Sequence, residues 1–594
     1  MQNHEHIIKE WLRDQGLTAY IFPSTDPHCG EYVPEHWATR RWASGFDGSA
    51  GTAVVTINGS ALWTDSRYFL AAEEQLRGTG FVLMKEGVEG TPTIAEWLAE
   101  QLPTGSTVGM DGWVNTIEDV FQLREALAEV GLLLELSKDA AESLWTNRPA
   151  VPLNPVEIQP LEFAGETCRS KVIRLREAMC KEDVDGTVVS ALDEVAWLTN
   201  LRGTDVHCNP VFVAYMLVTH HEATLFVESR KLTPEVVCYL SEEGVTIKPY
   251  ESILDSIRLY DGANILLDTD NTNWNILANL PKDCRIVKHG SLLASMKAVK
   301  NEKEIAGFRR AMRRDGVALV KFLRWLKPAV EQGGLTEMEV DRVLTFLRSE
   351  QDNYRDISFD TIAAYGPHGA IVHYEATPET NAVLEPHGLL LLDGGAQYQD
   401  GTTDITRTIA LGPLTDEERL DYTLVLKGHL RLAMAKFPQG SNGTQIDALA
   451  RYAMWQHGIN FLHGTGHGVG SYLNVHEGPH QIRMNYKPAP LLPGMTVTNE
   501  PGIYRAGKHG VRTENTMLIT PYKETEFGSF LQLEPLTLCP IDVTPILIDM
   551  MSKDELDYLN AYHEIVYCEL SPFLEKNERL WLKEATAPLV PIPA

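Results

Sequence analysis

Four carboxylates and one imidazole, divided among three apolar segments, restrict the possible folds of this chain more than any other feature. The segments read LLLLDGGAQYQDGTTDITRT, FLHGTGHGVGSYLNVHEGP and TVTNEPGIYRAGKHGVRTENTMLI, and the five residues are Asp393, Asp404, His467, Glu500 and Glu514. Each stands on or beside a strand-like run, which does not fit ordinary surface residues. Two carboxylates ~5 Å apart repel by roughly 3 kcal/mol at an effective dielectric of ~20. Carboxylates that converge on one pocket therefore need cations, so the pattern predicts one or two divalent metals and a metal-dependent hydrolase.

The composition is that of a folded chain with more than one domain. At 594 residues, the length is typical of about four domains of ~150 residues. Hydrophobic residues make up 44% and charged residues 22%, which provides enough apolar material for buried cores. The net charge of -29 argues against nucleic acid or an anionic membrane as a partner.

The expected compartment follows from several sequence features. The start, MQNHEHIIKEWLRDQG, has no basic region followed by an apolar run, and no stretch reaches ~18 uninterrupted apolar residues. The eight cysteines are scattered without CxxC pairs and are expected to be reduced thiols. These features predict a cytoplasmic protein without a membrane span.

The first half of the chain shows signs of a duplication. RWASGFDGS (41–49) resembles AWLTNLRGT (196–204), with Trp42 matching Trp197. Further on, each copy has a short apolar run, an acidic-Ser-Arg turn that ends at Arg67 or Arg230, and then a helical pattern. Strands that alternate with helices predict two similar α/β domains, and chance resemblance remains the alternative.

Four domains are predicted from changes along the chain. The boundary between the two copies is expected in NRPAVPLNPVEIQPLE, which is rich in proline. The third part starts near Met296, and its first helix is expected to be capped by Asn301. The tail reads as two further helices. The predicted domains are 1–152, 153–297, 298–540 and 541–594.

The segment around Asp393 is predicted to be a hairpin. A buried strand (389–393) is followed by the turn Gln399-Asp400-Gly401 and a returning strand, DITRTIAL. Asp393 and Asp404 are expected to face each other near its open end, where a pair of acids can share a metal. Asp400, beside Gly401, is interpreted as a turn-capping residue.

Histidines and a carboxylate pattern mark the other two segments. His463 and His467 are four residues apart, but the glycines of HGTGHGVG make a helix unfavourable, so a tight loop that lines a site is predicted. Because side chains alternate along a strand, Arg512 is expected to point the same way as Glu514. Arg512 then either orients a neighbouring or substrate carboxylate or forms a plain salt bridge.

Together these motifs resemble one family. The pattern HY…LDGGAQYQDGTTDITRT…HGTGHGVG…NVHEGP…NEPGIY…VRTEN is similar to that of the pita-bread metallopeptidases, and within them to the Xaa-Pro aminopeptidases. The resemblance implies an α/β and α+β fold. Two creatinase-like α/β N-terminal domains (1–152 and 153–297) would precede a pita-bread catalytic metallopeptidase domain (298–540) and a C-terminal helical extension (541–594).

The resemblance also implies a two-metal site. Asp393 would chelate one metal, His467 and Glu500 would complete the other, and Asp404 and Glu514 would bridge the pair. A hydroxide that bridges the metals would be the nucleophile. Mn(II) is expected, with Zn(II) or Co(II) possible, because the ligand set is rich in carboxylates and poor in histidine.

Residues around the metals receive roles from the same resemblance. Glu500 would carry a proton from water to the leaving nitrogen. His373, His463 and His476 match substrate-side histidines that position the peptide and stabilise the developing oxyanion. The predicted substrate-binding set is completed by the metal-ligand position His467, by Arg512, and by Arg67, which resembles an arginine of the first domain that reaches toward substrate.

The predicted activity is the release of an N-terminal residue that precedes proline, by a homodimer acting on Xaa-Pro peptides. A prolidase, which cleaves Xaa-Pro dipeptides, is the nearest alternative and needs a cation for the free carboxylate of its substrate. Methionine aminopeptidase is disfavoured because its catalytic domain normally lacks two leading domains. A non-catalytic pita-bread binding protein is disfavoured because all five ligand positions are filled.

Overall fold

The structure is a computed structural model that describes residues 4–137 and 139–590, and these form two compact units. The first unit runs to Pro160 and continues over Glu166–Ala294, and the second contains Leu161–Gly165 and the chain from Ser295 onward. Among the described residues, no helix combines the length and the hydropathy that crossing a bilayer would need.

The first unit contains two six-stranded sheets with helices around them. The strands β1–β6 are Ala19–Phe22, Thr52–Thr56, Ser60–Thr64, Phe81–Lys85, Thr107–Asp111 and Leu133–Ser137. The strands β7–β14 are Glu157–Ile158, Gly186–Val189, Leu201–Arg202, Ala214–Thr219, Ala223–Val227, Thr246–Lys248, Asn264–Leu267 and Arg285–Lys288. The helices α1–α13 are Glu5–Gln15, Thr39–Ser44, Phe69–Gln75, Ile94–Gln101, Ile117–Glu129, Ala140–Leu144, Leu161–Ala164 (in the second unit), Cys168–Lys181, Leu192–Thr199, Pro234–Glu243, Ile253–Ile257, Trp274–Ala278 and Leu292–Ala298.

The two large sheets have the same topology. Their strand orders are β4-β3-β2-β1-β5-β6 and β12-β11-β10-β8-β13-β14. In each sheet, the third strand in this order pairs antiparallel with the second and with the fourth. All other neighbouring strands are parallel. The predicted pair of similar α/β folds is therefore confirmed.

The repeated acidic-Ser-Arg turn has the same internal geometry in both copies. Arg67 donates to both carboxylate oxygens of Asp65, at 2.9 and 2.8 Å, and Arg230 donates to both oxygens of Glu228, at 3.1 and 3.2 Å. Arg67 has a second acidic partner, Glu31, at 3.2 Å. In both copies the arginine closes a turn over the acid two residues before it.

The second unit is an α+β fold whose strands belong to several small sheets. The helices α14–α19 are Glu302–Gln332, Glu337–Ser349, Asp416–Ala433, Gly443–Trp455, Lys553–Leu570 and Lys576–Ala585. The strands β15–β28 are Tyr354–Ile357, Ile362–Tyr365, Leu389–Gly394, Ala396–Tyr398, Gly401–Thr402, Ile405–Ala410, Lys436–Pro438, Gly466–Gly468, Glu477–Ile482, Thr496–Asn499, Gly502–Arg505, His509–Arg512, Asn515–Thr525 and Gly528–Pro535.

The ends of the second unit agree with the sequence pattern. Asn301 caps α14 and forms a capping box with Glu304, as predicted. The two predicted C-terminal helices are α18 and α19, and buried residues of both share one hydrophobic cluster with residues of α14 and α16. The limits at 152, 297 and 540 stay predictions.

The predicted hairpin is present, with a correction to its geometry. β17 and β20 pair antiparallel, with Asp393 opposite Thr406. Asp393 and Asp404 lie where the chain leaves this pair for the small β18–β19 hairpin, not at the open end. The turn-capping interpretation of Asp400 is wrong, because its buried carboxylate is paired with Arg310 and Arg314 of α14, at 2.8 and 2.7 Å.

A buried ion pair fixes the glycine turn that follows Asp393. Arg348 on α15 is fully buried and donates to both carboxylate oxygens of Asp315, at 2.8 and 3.1 Å. The same guanidinium donates to the carbonyl oxygens of Gly394 and Gly395, at 3.1 and 3.3 Å. The planar guanidinium of Arg348 therefore links the Asp315 carboxylate of α14 to the glycine turn at the end of β17.

We expect Arg348→Met to destabilise the second unit strongly, because Asp315 would keep a buried charge without its partner. Breaking one side of such a pair costs about 3–5 kcal/mol, which should lower the melting temperature by at least about 5 °C. The matched control is Arg342→Met on the same helix, where an exposed pair with Glu339 is lost. Equal melting temperatures of the two variants in calorimetry would contradict this.

Candidate metal centre

The five predicted metal-ligand positions lie at or beside strand ends of the second unit. Asp393 is on β17, Asp404 directly precedes β20, His467 is on β22, Glu500 directly follows β24, and Glu514 directly precedes β27. The carboxylates of Asp404, Glu500 and Glu514 each interact with that of Asp393. The structure therefore gathers side chains from three distant sequence segments into one cluster.

His467 is directed at two of the carboxylates. Its Nε2 lies 3.4 Å from Asp404 Oδ2 and 3.5 Å from Glu500 Oε1. Its Nδ1 lies 2.9 Å from the carbonyl oxygen of Gly468. A carbonyl oxygen only accepts hydrogen bonds, so Nδ1 carries a proton, and in the neutral ring the lone pair of Nε2 faces the acids. Ligand atoms of Asp404, His467 and Glu514 all lie within 4.8 Å of one another.

Two carboxylate oxygens of the cluster lack hydrogen-bond partners. Within the described part of the chain, Asp393 Oδ1 and Glu514 Oε1 are buried without a donor. The other oxygens are held, because Asp393 Oδ2 accepts from Arg512 at 2.6 Å and Glu514 Oε2 accepts from the hydroxyl of Thr406 at 2.8 Å. A buried carboxylate oxygen without a donor is costly, and a hard divalent cation is the partner that suits it. The donor set fits such ions.

Burial and mutual repulsion favour the neutral carboxyl groups. Burial raises the pKa of Asp404 well above its ordinary value, and the negative charges of Asp393 and Glu500 raise it further. Burial also raises the pKa of Glu514 well above its ordinary value, with Asp404 as the next cause. Burial raises the pKa of Glu500 to about 7, although the charge of Arg512 opposes this shift. Additional positive charge would therefore be needed to keep all of these carboxyl groups ionised.

Close backbone packing places the ligand-bearing segments side by side. The amide of Glu500 donates to the carbonyl of Thr465, and the amide of His467 donates to Thr498 Oγ1, at 2.8 and 3.1 Å. A Cβ at Gly466 would lie 1.9 Å from the carbonyl oxygen of Thr498. The HGTGHG segment is not a helix, as predicted, but the predicted tight loop is wrong at His467, because Gly466–Gly468 form β22 and pair with β23. The missing side chain at Gly466 allows β22 to approach β24.

A hydrogen-bonded chain links Asp393 to His463. Arg512 donates to Asp393 and, at 2.9 Å, to the hydroxyl of Tyr504, which lies 2.8 Å from His463 Nε2. His463 Nδ1 is 2.7 Å from the carbonyl oxygen of Gly464, so in the neutral ring Nδ1 is the donor and Nε2 accepts from Tyr504. The donor and the acceptor of each hydrogen bond between Asp393 and His463 are therefore defined.

Tyr504 was not among the residues predicted from the sequence. It lies on β25, which pairs with β26 so that Gly502 is opposite Arg512. Residues two apart share a strand face, and a diagonal neighbour is within reach of a long side chain. A hairpin predicted for GIYRAGKHGVR would therefore have placed Tyr504 diagonally opposite Arg512, within side-chain contact.

The other predicted substrate residues lie in different surroundings. The ring of His476 stands edge-on to that of His467, with centroids 4.4 Å apart. His373 is half-buried in the turn that follows the short 3-10 helix Gly366–Ala370, beside Tyr374, whose hydroxyl donates to the buried Glu337 at 2.8 Å. Arg67 belongs to the first unit, where Asp65 and Glu31 are its partners.

Family models match most of the chain. Residues 306–521 match metallopeptidase family M24, and residues 529–589 match the C-terminal region of peptidase M24. Residues 7–140 and 147–304 each match a creatinase/prolidase N-terminal domain.

Relatives are similar over nearly the full length. The chain is 39% identical to a probable Xaa-Pro aminopeptidase P of Neosartorya fischeri, covering 98% of this chain and 92% of that protein. It is 39% identical to aminopeptidase P2 of Arabidopsis thaliana, covering 97% and 86%. The crystal structure of X-prolyl aminopeptidase from Caenorhabditis elegans, described as a cytosolic enzyme with a di-nuclear active site, is 36% identical, covers 96% and 95%, and superposes with a TM-score of 0.93. Similarity of this extent over the whole chain shows that it belongs to metallopeptidase family M24, among the aminopeptidase P proteins.

Proposed function

We propose that this chain is a metal-dependent aminopeptidase that releases the N-terminal residue from peptides with proline in the second position. One observation carries the proposal: four carboxylates and the Nε2 of His467 converge in a buried cluster in which Asp393 Oδ1 and Glu514 Oε1 have no donor among the described residues. The relatives named for Xaa-Pro aminopeptidase activity support it.

The cluster would hold two divalent ions. Asp393 is proposed for one ion, His467 and Glu500 for the other, and Asp404 and Glu514 for both. Bound ions supply charge that lowers the pKa of water and polarises the scissile carbonyl. Oxygen donors outnumber the single imidazole nitrogen, and such a set suits Mn(II) better than Zn(II) or Co(II).

Glu500 is proposed as the proton carrier. Its Oε1 lies 3.5 Å from His467 Nε2, so its carboxylate stands where the ions would hold the attacking water. The hydroxyl of Thr498 lies 3.4 Å from its Oε1, and its amide is held by Thr465, so the group has a fixed position. A carrier in that position would take a proton from the attacking water and return it to the leaving nitrogen.

Arg512 is proposed to orient Asp393 and not to contact substrate. Its side chain is 2% exposed, and its guanidinium already donates hydrogen bonds to Asp393 and Tyr504. His463, His476 and His373 are proposed to position the peptide, and His476 lies beside His467, where a developing oxyanion would need a donor.

The engagement of Arg512 also argues against a prolidase. A dipeptidase needs a cation that is available for the carboxylate next to the scissile bond, and Arg512 already neutralises Asp393. An aminopeptidase instead recognises a free amine, which suits a site with concentrated negative charge. Proline lacks an N–H and has a fixed φ, so a pocket shaped to its ring can accept a bond that other aminopeptidases cleave poorly.

A cytoplasmic homodimer is proposed for the assembled protein. The eight cysteines are unpaired, which fits a reducing compartment. α17 and the segments after it expose large apolar side chains that fit an interface with a second copy. These side chains are Leu449, Tyr452, Trp455, Leu462, Met484 and Tyr486. Sedimentation should therefore give about twice the chain mass of 66.3 kDa, and a monomer at micromolar concentration would contradict the proposal.

Variants of the proposed metal ligands should lose bound metal, whereas variants of the proposed substrate-side residues should retain it. We expect Glu514→Gln and His467→Ala to lose metal and turnover together, because each removes a donor from the cluster. His476→Ala should keep its metal but lower kcat/KM by about 100-fold, as for loss of a transition-state donor. Elemental analysis of each purified variant measures this.

Glu524→Gln is the matched control for Glu514→Gln, since Glu524 is an exposed residue of β27. It should retain metal and activity. Near-normal turnover of Glu514→Gln would remove the two-metal assignment, and equal metal loss in His476→Ala and His467→Ala would show that their roles are divided wrongly.

Specificity is tested with four peptides and added Mn(II): Xaa-Pro-Yaa, Xaa-Ala-Yaa, the dipeptide Xaa-Pro, and acetyl-Xaa-Pro-Yaa. We expect rapid cleavage of the first alone, because the pocket accepts proline and the amine is recognised near the carboxylates. Chromatography of the products measures each rate. A preference for the dipeptide would shift the assignment to a prolidase, and equal cleavage of the alanine peptide would remove the proline claim.

A further inference from the structure

Arg407 is a buried cation of β20 whose hydrogen bonds, within the described part of the chain, go to no carboxylate. Its side chain is 4% exposed. Because side chains alternate along a strand, it lies on the face of β20 opposite to Thr406, which contacts Glu514. Its acceptors are the carbonyl oxygens of Thr406, Glu514, Cys539 and Pro540, the side-chain oxygen of Asn515, and the hydroxyl of Tyr562.

Two of these bonds fix the backbone at Glu514. Arg407 Nη1 donates to the carbonyl oxygen of Glu514 at 2.6 Å and to that of Thr406 at 3.0 Å. The amide of Glu514 in turn donates to the carbonyl of Thr406 at 3.1 Å, and the hydroxyl of Thr406 donates to Glu514 Oε2. Arg407 therefore holds the main chain from which the Glu514 carboxylate extends toward the metal centre.

The opposite side of the guanidinium is held by the C-terminal extension. Tyr562 of α18 is 3% exposed, and its hydroxyl accepts from Arg407 Nη2 at 3.0 Å. The same hydroxyl donates toward the carbonyl oxygens of Cys539 and Thr537, at 2.9 and 3.0 Å. Since α18 packs into the large cluster that includes residues of α14 and α16, Tyr562 has little freedom to move.

We infer that α18 is part of the metal-binding apparatus, with Tyr562 and Arg407 as positioning residues for Glu514. This inference rests on the proposed function, because Glu514 is its proposed bridging ligand. Groups that orient metal ligands without touching the metal typically change its affinity 10–100-fold when they are removed. The C-terminal extension then determines how tightly the two ions are held.

The test compares two buried hydroxyls of the same helix. Tyr562→Phe removes the Arg407 partner, whereas Tyr558→Phe removes a buried hydroxyl that has no hydrogen-bond partner among the described residues. Titration calorimetry of MnCl2 into the metal-free, full-length variants should give both sites weakened about tenfold in Tyr562→Phe and unchanged affinities in Tyr558→Phe. With limiting Mn(II), kcat of Tyr562→Phe should fall while KM stays the same.

Arg407→Lys provides a second variant, because lysine keeps the positive charge but lacks the planar guanidinium that donates to several acceptors at once. It should weaken Mn(II) binding at both sites at least as much as Tyr562→Phe. Unchanged Mn(II) affinity in Tyr562→Phe would overturn the inference, and so would a lowered melting temperature without a change in affinity. Wild-type protein that binds no Mn(II) would instead overturn the proposed function, and the inference with it.

Discussion

The burial of several carboxylates beside one another is the constraint on which the second unit depends. Asp393, Asp404 and Glu514 are each less than a tenth exposed, and Arg512 is the cation in direct contact with one of them. Burial without compensation pushes such groups toward protonation, and the raised pKa values of Asp404, Glu500 and Glu514 follow from that cause. Divalent ions would replace those protons, so the burial that opposes ionisation also suits the cluster to hold metal.

Such a cluster persists only where the scaffold holds every ligand in place. Asp393 is fixed by Arg512, and the turn behind it by Arg348. Glu514 is fixed through Thr406 and Arg407. Repulsion among the acids would otherwise move their strands apart. Arg348 and Arg407 donate to backbone carbonyl oxygens, and Arg512 engages Oδ2 of Asp393. Asp393 Oδ1 and Glu514 Oε1 therefore keep no donor among the described residues and are available for metal.

The sequence indicated the segments of the proposed ligands because each is a local pattern: an apolar run, then an acid or a histidine, then glycine or proline. It did not reveal Arg348, Arg407 or Tyr504, since their partners depend on how distant elements pack. Asp400 shows why the local reading fails. Beside Gly401 it reads as a turn residue, yet its partners lie 90 and 86 positions earlier in the chain. Nothing near Asp400 in the sequence points to them.

Each of the two similar sheets of the first unit has an arginine that closes the same kind of turn, and the two arginines differ in burial and partners. Among the described residues, Arg230 is 68% exposed and bonds only its own turn acid, so that interaction suffices to close the turn. Arg67 makes the same closure but is 23% exposed and also contacts Glu31. The turn arginine of the first copy therefore has a second acidic partner that the structure does not give to Arg230. A substrate role for Arg67 requires that substrate replaces Glu31 and not Asp65, because losing Asp65 would open the turn that positions the arginine.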